Sequence, residues 1–263
     1  MSQLAHFDKS IDNLCCRQDF QKKYLPHQLH QPLLPKLSGV AISELKVQKG
    51  IHDNENLVGL AKEKGVRFVF CDKVVLDKMS ETKRHQGYIA IADDFKYSTI
   101  SQMKELAKSK GEKLFLFILD GVEDPHNVGS ILRVAECSGA HGVIIPKHRA
   151  CMVTETVVKV SSGASNYVKV AMVTNINDTI RELKEDFVKV LCAEADGDTM
   201  YNVDMKDDVA LVIGSEGKGV KTLTRKLCDQ AISIPMKGNI NSLNASVATG
   251  IVAFEVLRQR NFK

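Results

Sequence analysis

Three short stretches carry side chains whose types and spacing suit chemistry on a polar ligand. In "LDGVEDPHNVGSILRVAECSGA" (119–140), Asn127 stands six residues before Arg133. In "VIGSEGKGV" (212–220), glycines 214, 217 and 219 surround Glu216. In "NINSLNASVATG" (239–250), Ser242 and Asn244 belong to a cluster of three asparagines and three small hydroxyl residues at the mouth of an apolar run. Carboxamides and hydroxyls orient a ligand, and an arginine offers a planar fork of donors that suits phosphate. A plainer reading stands beside each. Asn127 is a helix cap, Arg133 a solvated helix charge, Glu216 a loop carboxylate, and Ser242 or Asn241 a cap of the last helix. One cap accounts for one or two residues of 239–250. The surplus points to a site built from backbone and amides.

The glycine-rich stretch invites a phosphate-loop reading, and the templates reject it. Gly214 and Gly219 have the Walker spacing, but Val220 stands where lysine is required. A dinucleotide fingerprint started at Gly217 ends in Thr222, and no G-x-S-x-G elbow is present. Glu216 would also repel a phosphate. The glycines instead imply close approach of a ligand to the backbone.

These stretches need elements to hold them. "LFLFIL" (114–119), "GVIIP" (142–146), "YVKVAMV" (167–173), "VKVLCA" (188–193), "VALVIG" (209–214) and "AISIP" (231–235) read as strands. Helical patterns at 128–138, 153–161, 176–186, 218–228 and 242–260 separate them. Near-continuous apolar strands alternating with helices predict an α/β unit with a parallel sheet covered on both faces. Ligands of such sheets bind beyond the carboxyl ends of the strands, where all three stretches fall. Upstream, a small α/β unit runs from 37 to 96: "NENLVGLAKEKG" is helical, "VRFVFC" and "GYIAIA" are strands, and "VVLDKMS" is a short helix. The polar helix in 97–112 reads as a linker. Residues 1–36, with three prolines in "PHQLHQPLLPK", read as an irregular extension.

The 263 residues, 44% hydrophobic and 26% charged, describe an ordinary globular chain. A net charge of +4 permits a nucleic-acid partner without demanding one. No apolar run approaches the roughly 20 residues of a membrane span. The first thirty residues lack a signal-peptide core, and Asp8, Asp12 and Asp19 argue against an organelle transit peptide. The seven cysteines are odd in number and form no C-x-x-C pair, which predicts reduced thiols and a cytoplasmic protein. His27 and His30 have no second ligand pair, so no metal is expected.

Taken together, "NVGSILRVAE", "LVIGSEGKGV" and "ISIPMKGNINSLNASVATGI" resemble, in order, spacing and context, the three motifs of the SpoU/TrmH family. These are the SPOUT-class RNA ribose 2′-O-methyltransferases. The resemblance covers about residues 113–263. "HQGYIAIA" (85–92) is similar to the end of the small RNA-binding domain in the subgroup that modifies a 23S rRNA guanosine.

The resemblance implies a catalytic domain over 113–263 whose C-terminal chain forms a trefoil knot, with 37–96 as an RNA-binding domain. It implies S-adenosylmethionine as cofactor, held by backbone around Gly214, Ile234, Met236 and Leu243. Asn127, Arg133, Glu216, Ser242 and Asn244 fall on the family's active-site positions. Arginine is effectively never neutral, so Arg133 gripping a phosphate of the target is easier physics than Arg133 acting as a base. Asn127, Ser242 and Asn244 would orient it and the ribose, and Glu216 would hold its loop by accepting backbone N–H bonds. Family members build each active site at a subunit interface, which implies a homodimer. Two basic runs, Lys147–His148–Arg149 and Lys218, Lys221, Arg225 and Lys226, are either RNA contacts or solvated faces. A tRNA ribose methyltransferase and a non-catalytic RNA-binding assembly factor are the alternatives. The intact Asn127, Arg133 and Asn244 weigh against the second.

Overall fold

A computed structural model describes residues 23–26, 42–50, 59, 61–63, 65–80, 85, 87–92, 95–239 and 242–262. The chain divides into two compact units, Met1–Phe95 and Lys96–Lys263.

In the first unit, β1 (Lys23–Pro26), β2 (Ile42–Gln48), β3 (Arg67–Cys71) and β4 (Tyr88–Ala92) form one sheet in the order β1-β4-β2-β3. Strand β4 is antiparallel to β1 and β2, and β2 is parallel to β3. Alternation along β2 buries Leu45 and Val47, which join Ile89, Ile91 and Leu76 of helix α1 (Lys73–Met79) in this unit's core. The buried His85 closes the unit. Its Nδ1 accepts from Gly87 N (2.9 Å) and its Nε2 bonds Asp77 (3.0 Å). The expected extension 1–36 therefore contributes an edge strand, β1; its other residues lie outside those described, as do His27 and His30. Proline-rich flanks hid that strand from a reading by hydrophobic period.

The second unit is a six-stranded parallel sheet in the order β10-β8-β9-β5-β6-β7. Its strands are β5 (Phe115–Asp120), β6 (Gly142–Pro146), β7 (Lys169–Val173), β8 (Lys189–Thr199), β9 (Val209–Gly214) and β10 (Gln230–Ser233). Every residue of β5, β6 and β9 is buried, as expected for central strands covered on both faces. Helices α2 (Ile100–Lys110), α3 (Pro125–Cys137), α4 (Glu155–Val160), α5 (Ile176–Glu185), α6 (Thr222–Leu227) and α7 (Ala245–Asn261) complete it.

Three expectations need correction. Residues 97–112 are no linker: α2 opens on a Thr99–Gln102 capping box and buries Met103 and Ala107 in this unit's core. Its two buried residues were outvoted by a polar composition. Strand β8 runs to Thr199, beyond the apolar run, because its polar second half pairs with β10. Helix α6 is confined to 222–227, since the 214–219 segment turns back on itself.

Candidate active site

The three stretches converge at the carboxyl ends of β5 and β9 and at the start of α7. Asp124 caps α3 by accepting from His126 N (3.1 Å), and Pro125 supplies the first helical residue. Asn127 is thus freed from capping and buried inside the first turn. Its Nδ2 donates to Glu216 Oε1 (3.0 Å), and its Oδ1 accepts from Asn244 Nδ2 (2.9 Å). Asn244 Nδ2 also donates to Glu216 Oε1, closing a ring of three side chains from three loops. Asn244 is in addition the cap of α7, its Oδ1 accepting from Ser246 N (3.0 Å) and Val247 N (3.3 Å).

Glu216 therefore holds side-chain amides, where backbone N–H groups were expected. Ser242 lies three residues before α7 and is exposed, so it is not the cap; Asn241 lies outside the described residues. Arg133 is separate from the ring. Six residues along a helix advance about 9 Å and turn roughly 240° from Asn127. Its guanidinium is exposed and reaches Ser162 Oγ (3.4 Å). The expected orientation of Arg133 by Asn127, Ser242 and Asn244 is absent within one chain.

Beside the ring opens a cleft of about 630 Å³. All four residues expected around the cofactor, Gly214, Ile234, Met236 and Leu243, line it, together with Glu216, Ser242 and Asn244. At Gly214 an added Cβ would stand 2.1 Å from Gly219 C and 2.3 Å from Val220 N, so the loop folds back across the strand end only because no side chain is there. Ser215 and Gly219 exchange N–H···O bonds of 3.1 and 2.9 Å that fix this return. The loop is pinned from two further sides. The buried Asp120 accepts from Lys221 N (3.0 Å) and Nζ (2.5 Å), and Glu194 accepts from Val220 N (2.6 Å).

Sequence reasoning missed Glu194, which lines the cleft with Ala193 and Ala195. The pairing of β10 jumps from Cys192 to Asp198 of β8, and the first three residues of the gap, Ala193, Glu194 and Ala195, line the cleft. Only the polar break after "VKVLCA" hinted at this. The neighbouring Cys192 thiol, with burial, pushes the Cys228 thiol, which donates to Thr224 O (3.3 Å), far above its usual range. Among the described residues no group of three or more His, Cys, Asp or Glu could hold a metal, and no helix is long and apolar enough to cross a membrane.

Comparison with known proteins bears directly on this arrangement. The profile described as "SpoU rRNA Methylase family" matches residues 114–254, and that described as "RNA 2'-O ribose methyltransferase substrate binding" matches 37–98. A 23S rRNA (guanosine-2'-O-)-methyltransferase RlmB from Ralstonia nicotianae is 43% identical over 209 residues, 79% of this chain and 83% of its own. YacO of Bacillus subtilis (strain 168), whose name leaves tRNA and rRNA both open, is 43% identical over 208 residues, 79% of this chain and 83% of its own. The SpoU methyltransferase AviRb from Streptomyces viridochromogenes, solved with AdoMet, superposes with a TM-score of 0.72 at 22% identity, covering 87% of each chain.

Proposed function

The chain belongs to the SpoU rRNA Methylase family, and from that premise we propose that it methylates the 2′-hydroxyl of a ribosomal RNA ribose, a 23S rRNA guanosine, using S-adenosylmethionine. The observation that carries this reading is the Asn127–Glu216–Asn244 ring set against a cleft lined by Gly214, Ile234, Met236 and Leu243. The cleft suits the cofactor. Its volume falls within the roughly 300–1,000 Å³ of small-molecule sites. Its walls join a backbone cradle, which an adenine edge can bond, to the half-exposed apolar lips Met236 and Leu243. When bound, the cofactor supplies an electrophilic methyl group.

The chain's own residues then orient and stabilise. Glu216 fixes both carboxamides, so neither rotates when a ribose docks. Arg133 grips a phosphate of the target in bidentate fashion and favours the alkoxide that develops, while that phosphate or a neighbour takes the hydroxyl proton. Because Arg133 lies apart from the ring of its own chain, this reading pairs it with the cleft of a second protomer. Val247 and Phe254, seven residues apart on α7 and about half exposed, supply an apolar face for such a homodimer. The approach of 232–236 and 242–245 to the 214–219 loop at one cleft supports a trefoil knot, a rare exception to unknotted topology. Residues 37–96 choose the RNA target, and the unpaired pattern of cysteines supports a cytoplasmic location.

The test is radiolabelled methyl transfer onto total RNA from a strain lacking this protein, followed by mapping. Label at a 23S guanosine ribose is expected. Label confined to tRNA would replace the substrate, and no label would favour a non-catalytic RNA-binding factor.

A further inference from the structure

The two basic runs behave differently in the fold. In the run after β9, Lys221 is paired to Asp120 and Arg225 to Asp196 (2.9 Å), so half of its charge is answered within the chain. In the run after β6, Lys147, His148 and Arg149 are all exposed, and among the described residues none makes an ion pair or a side-chain hydrogen bond. We propose that this loop, 147–150, is a phosphate grip through which the catalytic unit holds the RNA backbone beside the target ribose. The proposal rests on the RNA reading above and adds a second contact surface to it.

The loop is built to present its charges. Lys147 N donates to Val173 O (2.8 Å) at the end of β7, and Cys151 N to Val122 O (3.3 Å) in the segment that leads into α3. Val153, buried, donates its N–H to Tyr97 Oη (3.1 Å). The legs are therefore fixed and the tip stands in solvent. Arg149 has a φ of 54°, a left-handed conformation that a long side chain rarely adopts. That conformation turns the chain sharply at the tip and keeps the Arg149 side chain exposed. Position agrees. In the sheet order β9-β5-β6, the cleft follows β9, Asn127 follows β5 and this loop follows β6, about 10 Å from β9 at the usual strand spacing. Asp124, whose charge is felt at Cys151, is engaged as the cap of α3.

The experiment measures binding of the full-length protein to a labelled rRNA fragment that it methylates, across a salt series. The variants are Lys147→Gln with Arg149→Gln, Arg149→Gln alone, and Arg225→Gln as the paired control. For single-stranded RNA, removing one cation that neutralises a phosphate should flatten the log–log salt slope by roughly 0.7. The double variant should raise KM for RNA about tenfold at moderate salt, with kcat at saturating RNA and S-adenosylhomocysteine affinity unchanged. Arg225→Gln should leave the slope alone. An unchanged slope and KM in the double variant, while wild type binds and methylates, overturns the grip and spares the RNA reading. A wild type that neither binds nor methylates RNA overturns both.

Discussion

The two edges of the six-stranded sheet are built from opposite materials. At the amino edge, side chains close the chain's own backbone. Arg260 of α7 donates to Lys113 O (2.8 Å), Leu114 O (3.0 Å) and Asp207 O (2.6 Å) and lies over the Phe115 ring. Asp208 accepts from Leu114 N (2.7 Å), and His141 Nδ1 accepts from Phe115 N (3.1 Å). At the carboxyl edge Asp120 and Glu194 also hold loop backbone, but Asn127, Glu216 and Asn244 bond one another, the glycine loop folds on itself, and Lys147, His148 and Arg149 stand in water. Buried backbone groups demand partners, so the closed edge is a structural solution. The open edge leaves carboxamides, loop backbone and charge for a ligand.

The most severe way to break the open edge is Gly214→Ala. Its Cβ would meet backbone atoms at 2.1 and 2.3 Å, which cannot swing aside. S-adenosylhomocysteine binding should vanish in calorimetry and methyl transfer should fall by more than ~10²-fold, the scale of a displaced site. Gly217→Ala meets no atom within 4 Å and strains only its own φ of 78°. It should cost far less, and equal losses in the two variants would show that the close crossing is not what shapes the cleft.

Arg133→Ala comes next. Methyl transfer should drop about 10²-fold while cofactor affinity stays within twofold, because Arg133 lies outside the cleft of its own chain. Arg133→Lys should rescue little, since a point charge cannot reproduce the planar fork. Mixing Arg133→Ala protomers with Asn244→Ala protomers should restore measurable activity, as one site of the mixed dimer then keeps both residues. No recovery in proven mixed dimers would place Arg133 and the ring of the same chain in one site.

How much of this was legible follows the same division. Strands β5, β6 and β9 stood out as continuous apolar runs, because a covered parallel strand needs no polar face. The three loops were legible as a group through the family resemblance. Their ring was not: Asn127 meets Glu216 and Asn244 across separations of 89 and 117 residues, and no local pattern encodes such a contact. The same limit hid Arg260, which read as the last charge of a helix, and its carbonyl partners lie 53 to 147 residues away. Asn127 and Asn244 also show why caps mislead. The first reads as a cap and is a buried ring member; the second is both at once.

Arg260→Ala tests the closed edge. Removing the guanidinium orphans carbonyls at the starts of β5 and β9; a hydrogen bond to a charged group contributes roughly 1.5–3 kcal/mol net, and water can reach the more exposed of these carbonyls once the side chain is gone. A loss of about 2–4 kcal/mol in urea unfolding is expected. Cofactor affinity of the folded fraction should hold within twofold, since the cleft lies at the other edge. A change in affinity without a change in stability would join the two edges into one functional unit.

The smallest effect is a pH dependence confined to the closed edge. His141 is buried, with Nδ1 accepting from Phe115 N and Nε2 bonded to Glu112 Oε2 (3.0 Å). Burial lowers its pKa, more than the Glu112 carboxylate raises it. The neutral ring fits the geometry, because a second proton on Nδ1 would remove the acceptor that Phe115 N requires. With the folded pKa below the unfolded value of about 6.5, the unfolded chain binds more protons between the two. The stability contributed by neutral His141 is therefore complete above about pH 6.5 and is lost as pH falls toward the folded pKa. His141→Asn keeps an acceptor near Nδ1 without a titrating ring. Urea unfolding at pH 7.5, 6.5 and 5.5 should show wild type losing up to about 1 kcal/mol more than the variant on acidification. Initial methylation rates at saturating substrates, measured where both remain folded, should have the same pH profile. Parallel stability curves would mean that the fold leaves the His141 pKa at its unfolded value, and a shifted rate profile would carry its influence to the open edge.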